Sequence, residues 1–370
     1  PRIINQVYRN FNTQNPVLHS VAFLKTGLGK ELSDASADIF HLHWLGNNTL
    51  SVEEIGKLSQ PLVWTLHDQW AFCGAEHYVN LPPFKDERYI EGYTADNRPP
   101  HERGPDLNRW TWQRKRQAWQ KPIHIVCPSN WLADCARKSA LMKDWPIVVI
   151  PNPIDLETWS PFDQTQARKV FNLPVDSPLI LFGALGGTSD PRKGSDLLQF
   201  ALHSLKTQVA DTPLSSLELV VFGQNRPQTE PDFGFPVHYM GHLHDDVSLH
   251  LLYSSADVMV LPSRLDNLPN TGLEAHACGT PVVAFRYSGL TDVVTDGVTG
   301  ILAEPFEPES LAQAILTAIE DPDRQKELGS AARAKAEQLW APLVVAKQYA
   351  EVYRSILSQS LGSYSSPRPD

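Results

Sequence analysis

Two carboxylates of this sequence, Asp266 and Glu274, flank the predicted start of a helix. The run Ala256–Leu261 before them has the length and apolar character of a buried strand, and Pro262 ends it. Open α/β sheets bind ligands where their strands end, so the loop after this run is placed to meet a ligand. Because carboxylates accept hydrogen bonds, the two acids suit a ligand rich in hydroxyl groups.

The helix start itself is a candidate anion site. Asn270 or Thr271 can cap the helix, and the first turn then includes Gly272 and Leu273. Backbone N–H groups of a first turn have no partner within the helix and point at whatever lies beyond it. A diphosphate fits such a place. The alternative is an ordinary capped helix with solvated acids.

A second candidate anion site follows the apolar run Leu179–Phe182. The loop after it is rich in glycine, including Gly187, and ends in two adjacent cations, Arg192 and Lys193. A flexible loop with two cations fits a diphosphate. Alone, the pattern describes a glycine-rich turn with solvated charges equally well, since short glycine motifs are weak signals. Together with the acidic block described above, it favours the diphosphate.

Histidines follow two other strand-like runs. His67 ends one of them and is followed by Asp68, which could instead act as a general base. His41 and His43 share one face of an earlier run by the strand period of two. No third residue stands at a recognisable ligand spacing from these two, so no metal site is predicted.

Length and composition define the class of protein. A chain of 370 residues exceeds one ordinary core and predicts two domains of about 150–190 residues each. The formal net charge of −10 argues against nucleic acid as the main partner. Four scattered cysteines without a CxxC pair, and no apolar run near the length of a membrane span, predict a cytoplasmic protein.

The two acids and the cations near Gly194 resemble the donor motifs of the retaining glycosyltransferases of family 4. That family has Glu, seven residues, then Glu; here Asp266 replaces the first Glu and is one methylene shorter. The resemblance covers roughly residues 38–353. It implies an α/β protein of the GT-B fold, in which two Rossmann-like domains with parallel sheets face a central cleft.

The resemblance also implies roles for single residues. Asp266 would contact the donor hexose and Glu274 the ribose, while Lys193 and Arg192 would hold the diphosphate, and His67 would lie against the donor sugar and the reacting phosphate. The loop after His67 resembles the histidine loop of the family's first domain. The donor would also touch Gly187, Asn270, Thr271, Gly272 and Leu273, and the acceptor would touch Trp44, Asn47 and His77.

Alternation of strand-like runs with helical stretches predicts parallel sheets covered by helices. The prolines near Ile150 predict a boundary, which gives a domain over 1–152 for the acceptor, a domain over 153–340 for the nucleotide sugar, and a closing helix with a loose tail over 341–370. Family members usually open with a strand and a glycine-rich loop, and residues 1–30 contain neither. Either the sequence begins late or this branch has lost that loop. The predicted strands are 38–43, 61–66, 124–127, 147–150, 179–182, 217–222, 237–240, 258–261 and 282–285.

The predicted activity is transfer of a hexose, with retained configuration, from a UDP- or GDP-sugar to an acceptor sugar or glycolipid in polysaccharide biosynthesis, without a metal. The rivals are a catalytically silent GT-B protein that binds sugar nucleotides or scaffolds a partner, and a GT-B epimerase. The basic, tryptophan-rich segment Arg109–Lys121 could rest on anionic lipid at the inner face of the membrane. The alternative is a helix that buries its tryptophans in the domain.

Overall fold

The computed structural model describes residues 15–79, 81, 86–100, 102–183 and 190–364, with side chains up to residue 358. The chain divides into two compact units. The first takes in the chain up to Ile150 and again from Lys347, and the second spans Pro151–Ala346.

The first unit contains a parallel sheet of four strands in the order β1-β2-β3-β4. Because all four run the same way, the residues that follow β1 and β2 meet at one edge of the sheet. The strands are β1 Phe40–Leu42, β2 Leu62–Thr65, β3 His124–Cys127 and β4 Ile147–Val149. The helices of this part of the chain are α1 Leu28–Asp34, α2 Val52–Lys57, α3 Arg88–Glu91, α4 Leu107–Ala118 and α5 Asn130–Lys138.

The second unit contains a parallel sheet of six strands in the order β10-β9-β8-β5-β6-β7. The chain lays down β5, β6 and β7 in one direction, then returns to the other side of β5 with β8, β9 and β10. The boundary between β5 and β8 is therefore the switch point of the sheet, where ligands bind in open α/β folds. The strands are β5 Leu179–Gly183, β6 Glu218–Phe222, β7 Val237–Tyr239, β8 Val258–Leu261, β9 Val282–Phe285 and β10 Gly300–Ala303.

Helices pack on this sheet and close its core, which is built from the apolar faces of β5, β6, β8 and β9. The helices are α6 Gln164–Val170, α7 Ser195–Gln208, α8 Asp246–Ser255, α9 Asn270–Ala277, α10 Leu290–Val293, α11 Pro308–Ile319 and α12 Pro322–Leu339, with 3₁₀ turns at Pro191–Lys193 and Pro213–Ser216. The last helix, α13 Pro342–Tyr364, belongs to the first unit from Lys347 onward. Among the described residues, none of the helices combines the length and the apolar character that crossing a bilayer requires.

The predicted strands agree with the structure apart from their ends and one omission. Three have the predicted bounds, namely β3, β8 and β9; β1 and β2 are one or two residues shorter at both ends, and the other four differ by one residue at one end. Strand β10 was not predicted. It begins at Gly300 and offers only three apolar residues, a signal too short to separate from a turn, and its pairing with β9 fixes it at the edge of the sheet.

Candidate functional site

The loops after β5 and β8 meet at the switch point of the second sheet. Lys193 Nζ lies 2.7 Å from Asp266 Oδ2, and the two side chains are 19% and 11% exposed. Sequence alone could not show this ion pair, since the residues are 73 positions apart. The cation of one loop and the carboxylate of the other thus share one partly solvated place at the carboxyl edge of the sheet.

A glycine holds these two loops together. Gly194 has a φ of +65°, and a Cβ at this position would collide with the carbonyl oxygen of Pro262. On the other side of the contact, the backbone N–H of Arg264 donates to the carbonyl of Arg192 at 2.7 Å. Arg264 also pairs with Asp196 at 2.5 Å. The turn that carries Lys193 is therefore fastened to the loop that carries Asp266 by close backbone contact.

The turn after β9 also holds Asp266 in place. The backbone N–H of Asp266 donates to Ser288 Oγ at 3.2 Å, and the N–H of Gly289 donates to the Asp266 carbonyl at 2.9 Å. A Cβ at Gly289 would collide with the carbonyl of Asn267. Sequence analysis did not single out this turn. The available signal was a Ser-Gly pair two residues after the predicted strand 282–285, at the same edge of the sheet.

The predicted cap of the helix is wrong. Helix α9 begins at Asn270, its N-cap is Pro269, and no side chain caps it. Proline has no side-chain acceptor, and the Asn270 carboxamide oxygen instead accepts from Asn152 Nδ2 at 3.1 Å. The N–H groups of Gly272 and Leu273 bond back to the Pro269 carbonyl.

The helix begins earlier in the chain than predicted, and so do its N–H groups that have no partner within the helix. Among the described residues, the N–H groups of Asn270 and Thr271 have no hydrogen-bond partner. Open N–H groups at the start of an eight-residue helix are donors of the kind that anions bind.

Glu274 and Arg192, which are also predicted to bind the sugar nucleotide, each have a polar partner within the protein. Glu274 Oε2 accepts from the Tyr253 hydroxyl at 2.7 Å, and burial raises the pKa of the Glu274 carboxyl. Arg192 pairs with Asp190 at 2.8 Å, and its side chain is 22% exposed. Gly187 lies outside the described residues. The structure thus places Lys193, Asp266 and the start of α9 around the switch point of this sheet.

The histidines of the first unit meet at the carboxyl edge of its sheet. His43, just after β1, and His67, just after β2, approach with Nδ1 and Nε2 3.1 Å apart. Burial lowers the pKa of both, and their mutual repulsion lowers that of His67 further. At neutral pH the two rings are therefore neutral, one donating to the other.

The third histidine is engaged differently. His41 Nδ1 lies 2.7 Å from the Tyr353 hydroxyl, and its Nε2 lies 2.8 Å from Thr65 Oγ1. Burial lowers the pKa of His41 to about 4, with a contribution from His43 and His67. Both nitrogens of His41 are used in hydrogen bonds. In the part of the chain that the structure describes, no group of three or more His, Cys, Asp or Glu residues is arranged to hold a metal ion.

Trp44, predicted to contact an acceptor, is 43% exposed and fixed in place. Its Nε1 donates to Asp68 Oδ2 at 2.9 Å, and Asn47 beside it is exposed with a φ of +57°. Asp68 also accepts from the Trp70 N–H at 2.9 Å and contacts His77 at 2.6 Å. A carboxylate with these three partners anchors its loop, which disfavours the general-base alternative.

The prediction for His77 needs revision. His77 is only 3% exposed, and its Nδ1 and Nε2 contact Asp68 and Ser20 Oγ, at 2.6 and 2.8 Å. With neither nitrogen available at the surface, it cannot hold an acceptor directly. Its contact with Asp68 instead fixes the carboxylate that holds the exposed indole of Trp44.

The basic, tryptophan-rich segment forms α4 and packs inward for the most part. Trp112 and Trp119 are buried, and Lys115 is fully buried. Lys115 Nζ donates to the carbonyls of Trp70, Cys73 and Gly74, so this helix holds the loop that follows His67. These contacts match the alternative in which the segment buries its tryptophans.

Two family models match this chain. The family model described as "Glycosyl transferases group 1" matches residues 179–321, and the model described as "Glycosyltransferase Family 4" matches residues 1–158. Together the two models span most of the chain. The first of them includes the switch point of the second sheet with Lys193, Asp266 and Glu274.

Relatives in the curated collection of proteins carry a glycosyltransferase name. The D-inositol 3-phosphate glycosyltransferase of Xylanimonas cellulosilytica is 34% identical over 209 residues, which is 52% of this chain and 47% of the relative. A protein of the same name from Catenulispora acidiphila is 32% identical over 228 residues, 56% of this chain and 51% of the relative. The chain spans about half the length of the curated relatives it matches.

Solved structures share the fold. Sucrose-phosphate synthase from Thermosynechococcus elongatus matches with a TM-score of 0.67 and 20% identity over 90% of this chain and 77% of that protein. Anabaena HepE, solved with UDP and glucose, matches with a TM-score of 0.61 and 20% identity over 89% of this chain and 80% of that protein. The chain has the GT-B fold and belongs to the family 4 glycosyltransferases, the glycosyl transferases of group 1.

Proposed function

We propose that this protein transfers a hexose from a nucleoside diphosphate sugar to an acceptor sugar or glycolipid and keeps the anomeric configuration. The observation that carries the proposal is the meeting of Lys193, Asp266 and the open start of α9 at the switch point of the second sheet. One cation and two open N–H groups fit a diphosphate, and the carboxylate fits a sugar hydroxyl.

The pair of Lys193 and Asp266 offers groups for both the diphosphate and the hexose of the sugar nucleotide. Lys193 has three donor hydrogens and uses one on Asp266, which leaves others for phosphate oxygens. Asp266 Oδ1 takes no hydrogen bond from the described residues and is open to a hydroxyl of the hexose. Since Asp266 is one methylene shorter than the usual Glu, its carboxylate stays on the lysine and leaves more room for the sugar.

Glu274 supplies the contact to the nucleoside half. It lies one turn into α9, past the open N–H groups, with a carboxylate that is half-buried and aligned by Tyr253. By the resemblance of the motif to that of the family, Glu274 is the proposed ribose-binding acid. Relatives of this fold include a protein solved with UDP, and we propose UDP or GDP as the nucleotide here.

The first unit is proposed to carry the acceptor site. The exposed indole of Trp44, held through Nε1, offers a fixed aromatic face on which a sugar ring can stack. Asn47 adds a polar group beside it. His67, neutral and hydrogen-bonded to His43, is the proposed contact to the reacting groups. The name of the relatives adds inositol 3-phosphate to the acceptors to be tested.

Retention with this set of side chains needs no protein nucleophile. The acceptor hydroxyl attacks the anomeric carbon on the face that the diphosphate leaves, the bond to the phosphate oxygen breaks, and that oxygen takes the proton. The task of the protein is then electrostatic: Lys193, Arg192 and the N–H groups of Asn270 and Thr271 stabilise the departing diphosphate. No metal is proposed for this step.

The test is a transfer and hydrolysis assay with a panel of UDP- and GDP-sugars, with acceptor sugars, glycolipids and inositol 3-phosphate. The proposal predicts sugar transfer or slow donor hydrolysis for at least one donor, and an unchanged anomeric configuration by NMR. Binding without either reaction would favour a silent sugar-nucleotide-binding protein, and a changed sugar nucleotide as product would favour an epimerase. Inverted products would contradict the retaining mechanism alone.

A further inference from the structure

We propose that Tyr253 is a positioning residue of the donor site, because its hydroxyl fixes the carboxylate of Glu274 on which the ribose is held. The inference rests on the proposed function and deepens it by adding a residue outside the family's donor motif. Tyr253 lies in α8, 21 positions before Glu274. Being only 1% exposed, it does not touch the ligand itself.

The hydroxyl of Tyr253 has one polar neighbour among its described contacts, Glu274 Oε2 at 2.7 Å. The ring is held between Trp159 and Phe222, both in edge-to-face contact with centroids 5.8 and 5.7 Å away. A phenol whose ring is held in this way keeps its oxygen beside the Glu274 carboxylate.

The carboxylate of Glu274 is bound on one side and open on the other. Oε2 accepts from Tyr253, while Oε1 takes no hydrogen bond from the described residues. A ribose carries hydroxyl groups that donate to such an oxygen. Because Tyr253 holds Oε2, the orientation of Oε1 is also set. The carboxylate therefore loses less conformational entropy when it binds a ribose.

The same contact governs the ionisation of Glu274. Burial raises the pKa of its carboxyl, the Tyr253 hydroxyl lowers it, and Asp246 of α8 raises it. Of the other groups nearby, Cys278 follows at the end of α9, and Arg333 of α12 is turned to the carbonyls of Trp159 and Ala277. Tyr253 is therefore the neighbour that favours the charged form of this acid through a direct hydrogen bond.

The consequence is a pH-dependent affinity for nucleotide. Hydroxyl groups of the ribose bind the ionised carboxylate better than the protonated one, so affinity falls as the pH falls through the pKa of Glu274. Replacing Tyr253 by Phe removes the stabilising hydrogen bond and raises that pKa further. The loss of affinity should then begin at a higher pH than in the wild-type protein.

The experiment is calorimetric titration of UDP and of GDP into five proteins between about pH 5 and 9. They are the wild type, Tyr253→Phe, Glu274→Gln, the double variant of these two, and the matched control Thr280→Val. Thr280→Val removes a buried hydrogen bond to the backbone of the same tyrosine and leaves Glu274 untouched.

Tyr253→Phe is expected to weaken the nucleotide about 10-fold at neutral pH, as the loss of one hydrogen bond to a charged group does, and to weaken it more in acid. Thr280→Val should bind as the wild type does. The double variant should bind no worse than Glu274→Gln alone, because the phenol acts through the carboxylate.

An affinity and pH profile of Tyr253→Phe equal to those of the wild type would overturn the inference. A wild-type protein that binds neither nucleotide would overturn the proposed function instead. If Tyr253→Phe is insoluble, site-specific incorporation of 3-fluorotyrosine at position 253 serves in its place. That side chain keeps the ring and is a stronger donor, so the acid loss of affinity should move to lower pH; an unmoved profile would contradict the inference.

Discussion

The polar clusters of the two units differ in how they manage charge. In the second unit, the candidate site holds its acidic side chains in pairs: Asp266 with Lys193 at 2.7 Å, and Glu274 with the hydroxyl of Tyr253 at 2.7 Å. In the first unit, His43 and His67 are neutral and share one hydrogen bond, in which one ring donates to the other, and burial lowers the pKa of both. Charged groups suit a diphosphate, whereas neutral donors and an exposed indole suit a sugar.

The two clusters also differ in how the chain builds them. The second unit draws its site from loops after β5, β8 and β9 and from one helix start, all at a single switch point. The first unit joins His41 of β1 and Thr65 of β2 to tyrosines of α13, Tyr353 and Tyr349, which follow 312 and 284 positions later. In the second site, the two acids Asp266 and Glu274 therefore stand in one short stretch of the sequence, whereas the contacts of the first site with α13 join distant parts of the chain.

The largest effect is expected for Lys193→Met. Removing a cation that stabilises the departing diphosphate should lower kcat about 10²- to 10³-fold, the loss seen when one such electrostatic contact is removed. The measurement is steady-state transfer with the best donor, together with a melting curve. Arg226→Met is the matched control, since Arg226 makes an exposed pair with Glu230 in the same unit. Equal activity of both variants would contradict the charged half of the comparison.

His67→Gln should cost less, about 10-fold in kcat, because an amide is neutral and still offers a donor and an acceptor. The same assay measures it, and His43→Gln, which alters the partner of His67, should give a smaller loss. A loss for His67→Gln as large as that for Lys193→Met would show that His67 acts as a charged group, against the neutral role given to it here.

Gly194→Ala tests whether the fastening of two loops matters for the second site. A residue with a Cβ is strained at a φ of +65° and collides with Pro262, so destabilisation of about 1–3 kcal/mol is expected, with a loss of activity. Gly297→Ala is the matched control, because Gly297 has a φ of +68° and open space around it. Urea unfolding and kcat measure the two effects. Equal losses for both variants would leave no role for the contact with Pro262.

The smallest effect concerns the stability of the first unit. The pKa of His41 is about 4 in the folded protein, below its ordinary value of 6.5, so the unfolded chain binds the proton more readily. The free energy of unfolding should therefore rise with pH between about 4 and 6.5 and level off above. In His41→Gln part of that rise should be missing.

Urea unfolding followed by tryptophan fluorescence measures this rise. The signal reports the first unit, because all but Trp159 and Trp340 of the ten tryptophans lie there. A pH profile of His41→Gln that matches the wild type would show that His41 does not contribute to it.

The sequence allowed prediction of the elements that local residue patterns encode. It did not allow prediction of contacts between residues far apart in the chain. Apolar runs predicted nine of the ten described strands, whereas the roles of Lys193, Asp266 and Glu274, assigned from the family resemblance, stay predictions. The pairing of Lys193 with Asp266, the support of Ser288 and the role of Tyr253 depend on residues far apart in the chain. The cap of α9 was predicted at Asn270 or Thr271 and lies one or two residues earlier, at Pro269, which has an extended backbone at the helix start.

The central claim is that Lys193 and the start of α9 hold the diphosphate of a sugar nucleotide. Calorimetric titration of the wild type and of Lys193→Met with UDP, GDP and their glucose and mannose derivatives tests it most directly. We expect one nucleotide family to bind the wild type and to bind Lys193→Met at least about 10-fold more weakly. Equal affinity of the two proteins for that nucleotide, or no binding of any of these ligands to the wild type, would contradict the account.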